Sequence, residues 1–363
     1  MRLAGRAGEV TGTSGSVAPA GNSEGSWNGT YPQAAERGAS RAATRIEACT
    51  PASDAAAARA ASGSFACIIG PQEQVLLPTL RIRHRTTYLY HAPVRLGPHR
   101  LMLRPRESRE LRLVSHEVTV TPAGTLTWAH DVFGNAVATA GFEGLTDRLV
   151  VDSEAVLTLG VDPWPVFDIA AVATRYPFAY TDADWSDLGA LVVPQYLDPE
   201  RKLLAWAREF VRSDPTDTLS LLKDLSAGVA EQIRYQSRES EGTQAPLETL
   251  ARGLGSCRDL AVLFVEAARC LRFGARLCSG YLFRPDRATG TYEADSTHAW
   301  AEVYVPGAGW ITFDPTNRSV GGSNLIPVAV AREIWQVTPV SGDFIGASDA
   351  YRGLWVDLSV TPL

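Results

Sequence analysis

Cysteine is scarce in this 363-residue chain: Cys49, Cys67, Cys257, Cys270 and Cys278 are the whole set. An odd number at such wide spacings does not make a disulfide framework. There is no CxxC pair, and the six histidines show no metal-ligand spacing, so neither a zinc site nor any other metal or cofactor is expected. Long apolar runs are also missing. The best of them, Leu260 to Val265, is cut by Glu266, which excludes a membrane-spanning helix of the usual length. Arg2 has no continuous apolar stretch behind it, so a secretory signal is not supported and the cytoplasm is the expected compartment. Basic charge is not in excess: 34 Lys and Arg against 40 Asp and Glu give a net charge of −6. That balance gives no reason to expect nucleic acid or a membrane surface as a partner. The oligomeric state is not legible from any of these features.

The chain is 45% hydrophobic and 20% charged, as a soluble globular protein is. Residues 1–74 are rich in Ala, Gly, Ser, Thr and Arg and poor in large apolar side chains, and are expected to form a disordered low-complexity tail. From Leu80 to Tyr88 apolar and polar residues alternate, with Arg81, Arg83 and Arg85 on a solvated face. Further short alternating runs follow to Leu159, with a Gly134-Asn135 turn signal among them. Residues 78–160 therefore read as a β-rich domain, an antiparallel sandwich or small barrel. Pro163, Pro165 and Pro177 mark a linker over 161–195. The second domain, 196–330, opens with Asp198-Pro199-Glu200 as a helix start, Asp capping and Pro at the first helical position. A helix over 218–233 and a short one near 247–250 precede Gly255-Ser256. Next comes a helix whose stripe is Leu260, Leu263, Phe264, Ala267, Ala268 and Leu271. Strands over 276–283, 298–305 and 310–314 complete an α+β pattern, and 331–363 is a C-terminal extension.

Three residues in that second domain carry chemistry. Cys257 opens the apolar helix, where unpaired N–H groups and the macrodipole favour a thiolate. The same N–H groups, that of Cys257 among them, suit the oxyanion of a tetrahedral intermediate. His298 opens a strand and could take the thiol proton; Asp314 closes the next strand and could orient the ring. A lone strand histidine is ordinarily a satisfied surface or core residue, so the weight rests on all three together. Reach depends on register. An even four-residue loop would pair Val305 with Trp310 and put Asp314 on the wrong face; an odd loop or a bulge pairs Trp300 with Asp314, on the face of His298. An odd-length connection or a bulge is therefore predicted. Asp259 suits the helix dipole, Ser256 is a cap, Glu302 is either a second carboxylate near the site or an ion-paired residue, Trp310 is core packing, and Asp295 braces the loop before His298.

The stretches Gly255-Ser256-Cys257-Arg258-Asp259-Leu260-Ala261, Gly274-Ala275-Arg276 through Ser279-Gly280-Tyr281, His298-Ala299-Trp300-Ala301-Glu302-Val303, and Gly309-Trp310 through Asp314-Pro315-Thr316 resemble the transglutaminase-like superfamily. Residues 78–160 resemble the β-rich N-terminal region of bacterial transglutaminase-like proteins. The resemblance implies a papain-like core, a cysteine helix packed on an antiparallel sheet, with Cys257 as nucleophile, His298 as base and Asp314 as orienting acid. It implies a thiol-dependent hydrolase of peptide or amide bonds working through a thioacyl-enzyme on a peptide or protein substrate. Amine transfer to glutamine side chains is the alternative, and a non-catalytic peptide-binding scaffold a third reading. Many bacterial relatives have Gln, Phe and His where this chain has Arg258, Leu260 and Val262. The tryptophan that animal transglutaminases use in the oxyanion site has no counterpart between 207 and 256; Gln232, Tyr235 and Gln244 are candidate replacements.

Overall fold

A computed structural model describes residues 78–160, 165–238, 242–283 and 297–363. The expected tail over 1–74 and the bracing residue Asp295 lie outside the described residues.

The alternation that begins at Leu80 produces an 18-residue strand, Thr79–Leu96, whose Leu80, Ile82, Tyr88 and Tyr90 are buried. Arg81 and Arg83 face out and pair with Glu154, as Arg85 does with Asp152. Thr146–Leu159 runs antiparallel along one side of this strand, with Leu80 opposite Leu157 and His84 opposite Ser153, and Leu111–Thr121 pairs beyond it. The other side is taken by the far end of the chain: Tyr351–Pro362 pairs antiparallel with it, Leu80 opposite Pro362. A second antiparallel sheet is built from His99–Leu101, Gly124–His130, Ala136–Phe142 and Val340–Ser341. The two sheets share one apolar core, including Tyr88, Tyr90, Leu101, Ala138, Leu149, Val151 and Val340. Hence the N-terminal region is β-rich, and residues near the C-terminus complete both of its sheets.

The second region is a helix on a sheet. Cys257–Cys270 forms the helix, and Leu260 to Ala268 are all buried. The sheet is antiparallel, in the order Ser319–Val320, Gly309–Asp314, Thr297–Val305, Gly274–Leu282, Leu325–Ala331. Alternation along Thr297–Val305 sends Ala299, Ala301, Val303 and Val305 into the core beneath the helix. Phe264 of the helix meets Phe313 with ring centroids 5.2 Å apart. Each large apolar side chain so buried contributes on the order of 1.5–3 kcal/mol, which fixes how the helix start sits over the strand ends. Trp300 points the other way, into a small cluster with Cys278, Leu325, Val330 and Phe133. There Asn135 acts as a short strand substitute: its amide donates to the Val330 carbonyl (2.7 Å) and accepts the Val330 N–H (2.9 Å).

The helix expected to begin at Asp198-Pro199 begins later, over Lys202–Arg208, because Arg201 takes a left-handed conformation and breaks the run. Asp198 still serves as the acceptor, receiving the N–H groups of Lys202 (2.8 Å) and Leu204 (3.2 Å). The hairpin that carries the site has an odd connection. Pro306, Gly307 and Ala308 join strands paired Val305 to Gly309 and Ala301 to Phe313. Gly307 sits at φ +88°, and a Cβ there would collide with the Ala170 backbone, so this tight loop requires glycine.

Candidate active site

Cys257 is the first residue of its helix, and the turn it begins is locked from below. Asp259 is fully buried; its carboxylate accepts from the Ser256 N–H (2.8 Å) and hydroxyl (2.9 Å), the Gln244 N–H (2.7 Å) and Arg238 Nη2 (2.9 Å). Asp259 thus does more than face the dipole: it clamps the preceding loop to the helix start. Arg238 has no signature in the sequence, because its partner lies 21 residues away across a loop.

His298 is the second residue of its strand, opposite Gly280, and is buried. Asp314 ends the neighbouring strand, also buried, with Oδ2 2.8 Å from His298 Nε2. The odd-length turn places these two on one face, as the register argument requires. Asn317, which sequence reasoning passed over, donates its amide to Asp314 Oδ2 (2.7 Å). The backbone N–H groups of Thr316 and Asn317 reach Asp314 Oδ1 at 3.0 and 3.2 Å. The run Asp314-Pro315-Thr316-Asn317 is an Asx-type turn, a signal that could have found Asn317. The His298 ring lies nearly parallel to Trp300, centroids 6.0 Å apart, which limits its rotation.

Nε2 is engaged by Asp314, and the His298 ring stands close enough to the Cys257 thiol for each to shift the other's titration. The charges follow from this contact. Burial works against the thiolate, but the hydrogen bond and positive charge of His298, the Ala299 N–H and the nearby Arg258 together hold the Cys257 thiol below the ordinary range. Burial likewise works against an imidazolium, but Asp314 and Cys257 push His298 up to about 9. Asp314 is held down despite burial by His298 and Asn317. The other two cysteines among the described residues behave oppositely. Burial pushes Cys270 up to about 11 and Cys278 well above the thiol range, with Glu302 adding to the latter.

The remaining candidates fall elsewhere. Glu302 is ion-paired with Arg276 at 2.6 Å, and the Arg276 guanidinium lies 4.0 Å over the Trp310 ring, so Trp310 packs under a cation. Gln232 accepts from Trp206 Nε1 at 2.8 Å, and Tyr235 is half exposed. Gln244 is buried, with its amide disposed to bridge Arg238 and the Leu254 carbonyl. What the arrangement provides chemically is a polarised thiol at a helix start, a proton acceptor against it, and a carboxylate fixed behind that acceptor.

Comparison with known proteins bears on the family and the fold. A family model described as the transglutaminase-like superfamily matches residues 204–315, and one described as the bacterial transglutaminase-like N-terminal region matches residues 80–158. An uncharacterized protein of Mycobacterium tuberculosis is 27% identical over 284 residues, covering 72% of this chain and 86% of its own. One of Mycobacterium leprae is 26% identical over 285 residues, covering 74% and 93%. Among solved structures, a candidate cysteine protease from Cytophaga hutchinsonii is similar with a TM-score of 0.59 at 18% identity, over 79% of this chain and 93% of that one. That likeness is one of fold.

Proposed function

The core of this chain belongs to the transglutaminase-like superfamily, and from that premise we propose that it is a thiol-dependent hydrolase of peptide or amide bonds. The observation that supports the reading is the 2.8 Å contact of the His298 ring with the Asp314 carboxylate, together with the mutual charge coupling of that ring and the Cys257 thiol. In the proposed cycle the Cys257 sulfur attacks the substrate carbonyl carbon, and the carbonyl π electrons move to oxygen. The N–H of Cys257, at the first helical position and so without an intrahelical acceptor, donates to that oxyanion. His298 delivers its proton to the leaving amine as the C–N bond breaks, and a thioacyl-enzyme remains. Water then attacks the thioester, His298 takes the water proton, and the acid leaves with the thiol restored. Asp314 stays ionised throughout, holding the ring and balancing the imidazolium.

Incubation with a mixed peptide library, with and without an added primary amine, tests this against a Cys257→Ala control. New carboxyl-terminated fragments that depend on Cys257 are expected. Amine incorporation without cleavage would replace hydrolysis by acyl transfer, and a library untouched by either protein would leave a peptide-binding scaffold.

A further inference from the structure

The loop that leads into the cysteine helix encloses a cavity of about 220 Å³ which the cycle above does not use. Arg238, Gln244, Arg252, Leu254, Gly255 and Ser256 are among its walls, so one side of it is the backbone running into Cys257. Two guanidinium groups line it, and no carboxylate is among its described lining residues. Arg238 spends Nη2 on Asp259 and on the Gly242 carbonyl, but its Nε is buried without a hydrogen-bond partner among the described residues. A buried donor left in that state costs free energy that an incoming acceptor would recover. Arg252 shares Glu248 in a largely exposed pair, of the sort that contributes little and yields easily to another anion. A third cation stands close by: Arg258 directly follows Cys257 and forms no ion pair among the described residues. A cation in the first helical turn opposes the macrodipole, so the fold itself gains nothing from it there.

We propose that this cavity receives a carboxylate of the substrate, so that the thiol acts on acidic peptides or acidic amides. A guanidinium presents parallel N–H donors that match a carboxylate, and Arg238 and Arg252 both line this one small space. Arg258 adds charge at the thiol itself, where it also favours the thiolate. The inference rests on the reading of Cys257 as the reactive thiol and goes beyond it in naming the substrate chemistry.

Three thiol-directed probes of nearly equal size test it on the full chain: bromoacetyl-Glu-amide, with a side-chain carboxylate; bromoacetyl-Gln, with a terminal one; and bromoacetyl-Gln-amide, with none. The rate of labelling at Cys257 is followed by mass spectrometry. At least one acidic probe is expected to react about five-fold faster than the neutral one, the ordinary scale of a partly exposed charge contact. Which acidic probe gains separates a side-chain from a terminal carboxylate. The ratio of acidic to neutral rates is expected to fall at least about two-fold in the Arg252→Gln, Arg258→Gln double variant, which keeps Arg238 and its clamp on Asp259. Because it is a ratio, any change in thiolate population cancels. Equal rates for all three probes in the unaltered chain, or a preference undiminished in the double variant, would overturn the proposal while leaving the reactive thiol intact. A folded protein whose Cys257 resists every probe removes the thiol reading, and this inference with it.

Discussion

Replacing Asp314 by asparagine keeps the shape of a buried side chain and removes its charge. In the native chain that carboxylate lies 2.8 Å from His298 Nε2, and His298 is pushed from 6.5 up to about 9. At an effective dielectric near 20, opposite charges about 4 Å apart interact by about 4 kcal/mol, and one pKa unit corresponds to about 1.4 kcal/mol. Burial of the ring opposes this gain and is unaffected by the substitution. The imidazolium of Asp314→Asn should therefore titrate at least about two pH units lower, at or below the ordinary histidine value. The thiol loses its charged partner in turn, so at pH 6 the rate of Cys257 labelling by iodoacetamide should fall on the order of ten-fold, one pKa unit in the thiol. The same pair makes a stability prediction. His298 binds its proton more tightly folded than unfolded, so the contribution is fully present below pH 6.5 and is lost as pH rises through about 9. The Cys257 thiol, held below its ordinary range, contributes with the opposite sign, so the decline should be read in a Cys257→Ala background: urea midpoints there should fall across that window, and with Asp314→Asn added they should not. Coincident pH–rate profiles for the two proteins would refute the coupling of Asp314 to the thiol.

Asn317→Ala removes a 2.7 Å hydrogen bond to Asp314 and should lower Cys257 labelling several-fold, with little change in the urea midpoint; an unchanged labelling rate would leave Asn317 without a positioning role. Arg269 and Glu266 form a buried pair at 2.6 Å, with Arg269 also donating to the carbonyls of Leu191, Ala275 and Arg332 and Glu266 accepting from the N–H groups of Gln195 and Tyr196. Arg269→Met strands the carboxylate and should cost about 3–5 kcal/mol by chemical denaturation. Gly280 lies opposite His298, and a Cβ there would collide with the Ile326 carbonyl oxygen and stand 2.8 Å from Trp300; Gly280→Ala should lower both Tm and Cys257 labelling. Cys278 is fully buried with its thiol pushed well above the usual range, so in the native chain labelling should be found at Cys257 and appear at Cys278 only after denaturation.

The parts of this molecule governed by local rules were legible in the sequence. The stripe Leu260, Leu263, Phe264, Ala267, Ala268 and Leu271 is buried as helical periodicity requires, and the alternation from Leu80 to Tyr88 gives a strand with its arginines outward. The His298–Asp314 face relation was legible only as a condition: the turn read as Pro306–Gly309 would have parted them, and the odd loop required for them to meet is the one found, 306–308. What escaped depended on distant partners. The pairing of Tyr351–Pro362 with Thr79–Tyr90 joins the two ends of the described chain, and nothing within either segment names the other. The Arg238–Asp259 clamp, the Asn135 bridge to Val330 and the Asn317 support of Asp314 are side-chain bonds without a period. The start at Asp198-Pro199 misplaced its helix because Arg201 adopts a left-handed backbone, which residue type does not announce.

The three chemical residues share one property that local rules do detect: each stands at the end of a regular element. Cys257 begins a helix, His298 lies one residue inside a strand, and Asp314 closes the next strand. Residues in the middle of those elements are committed to the core, as Phe264, Ala301 and Ile311 are, and cannot be spared for chemistry. Packing of the apolar middles therefore determines where the polar ends come together. The three-residue turn at Pro306–Ala308 then decides whether they meet, because one residue more or less would send Asp314 to the opposite face together with the alternation of Ile311 and Phe313. The same apolar side chains that hold the sheet to the helix thus enforce the register on which the His298–Asp314 contact depends. Fold stability and site geometry are in this respect a single constraint, and it explains why requiring the contact predicts an odd connection between the two strands.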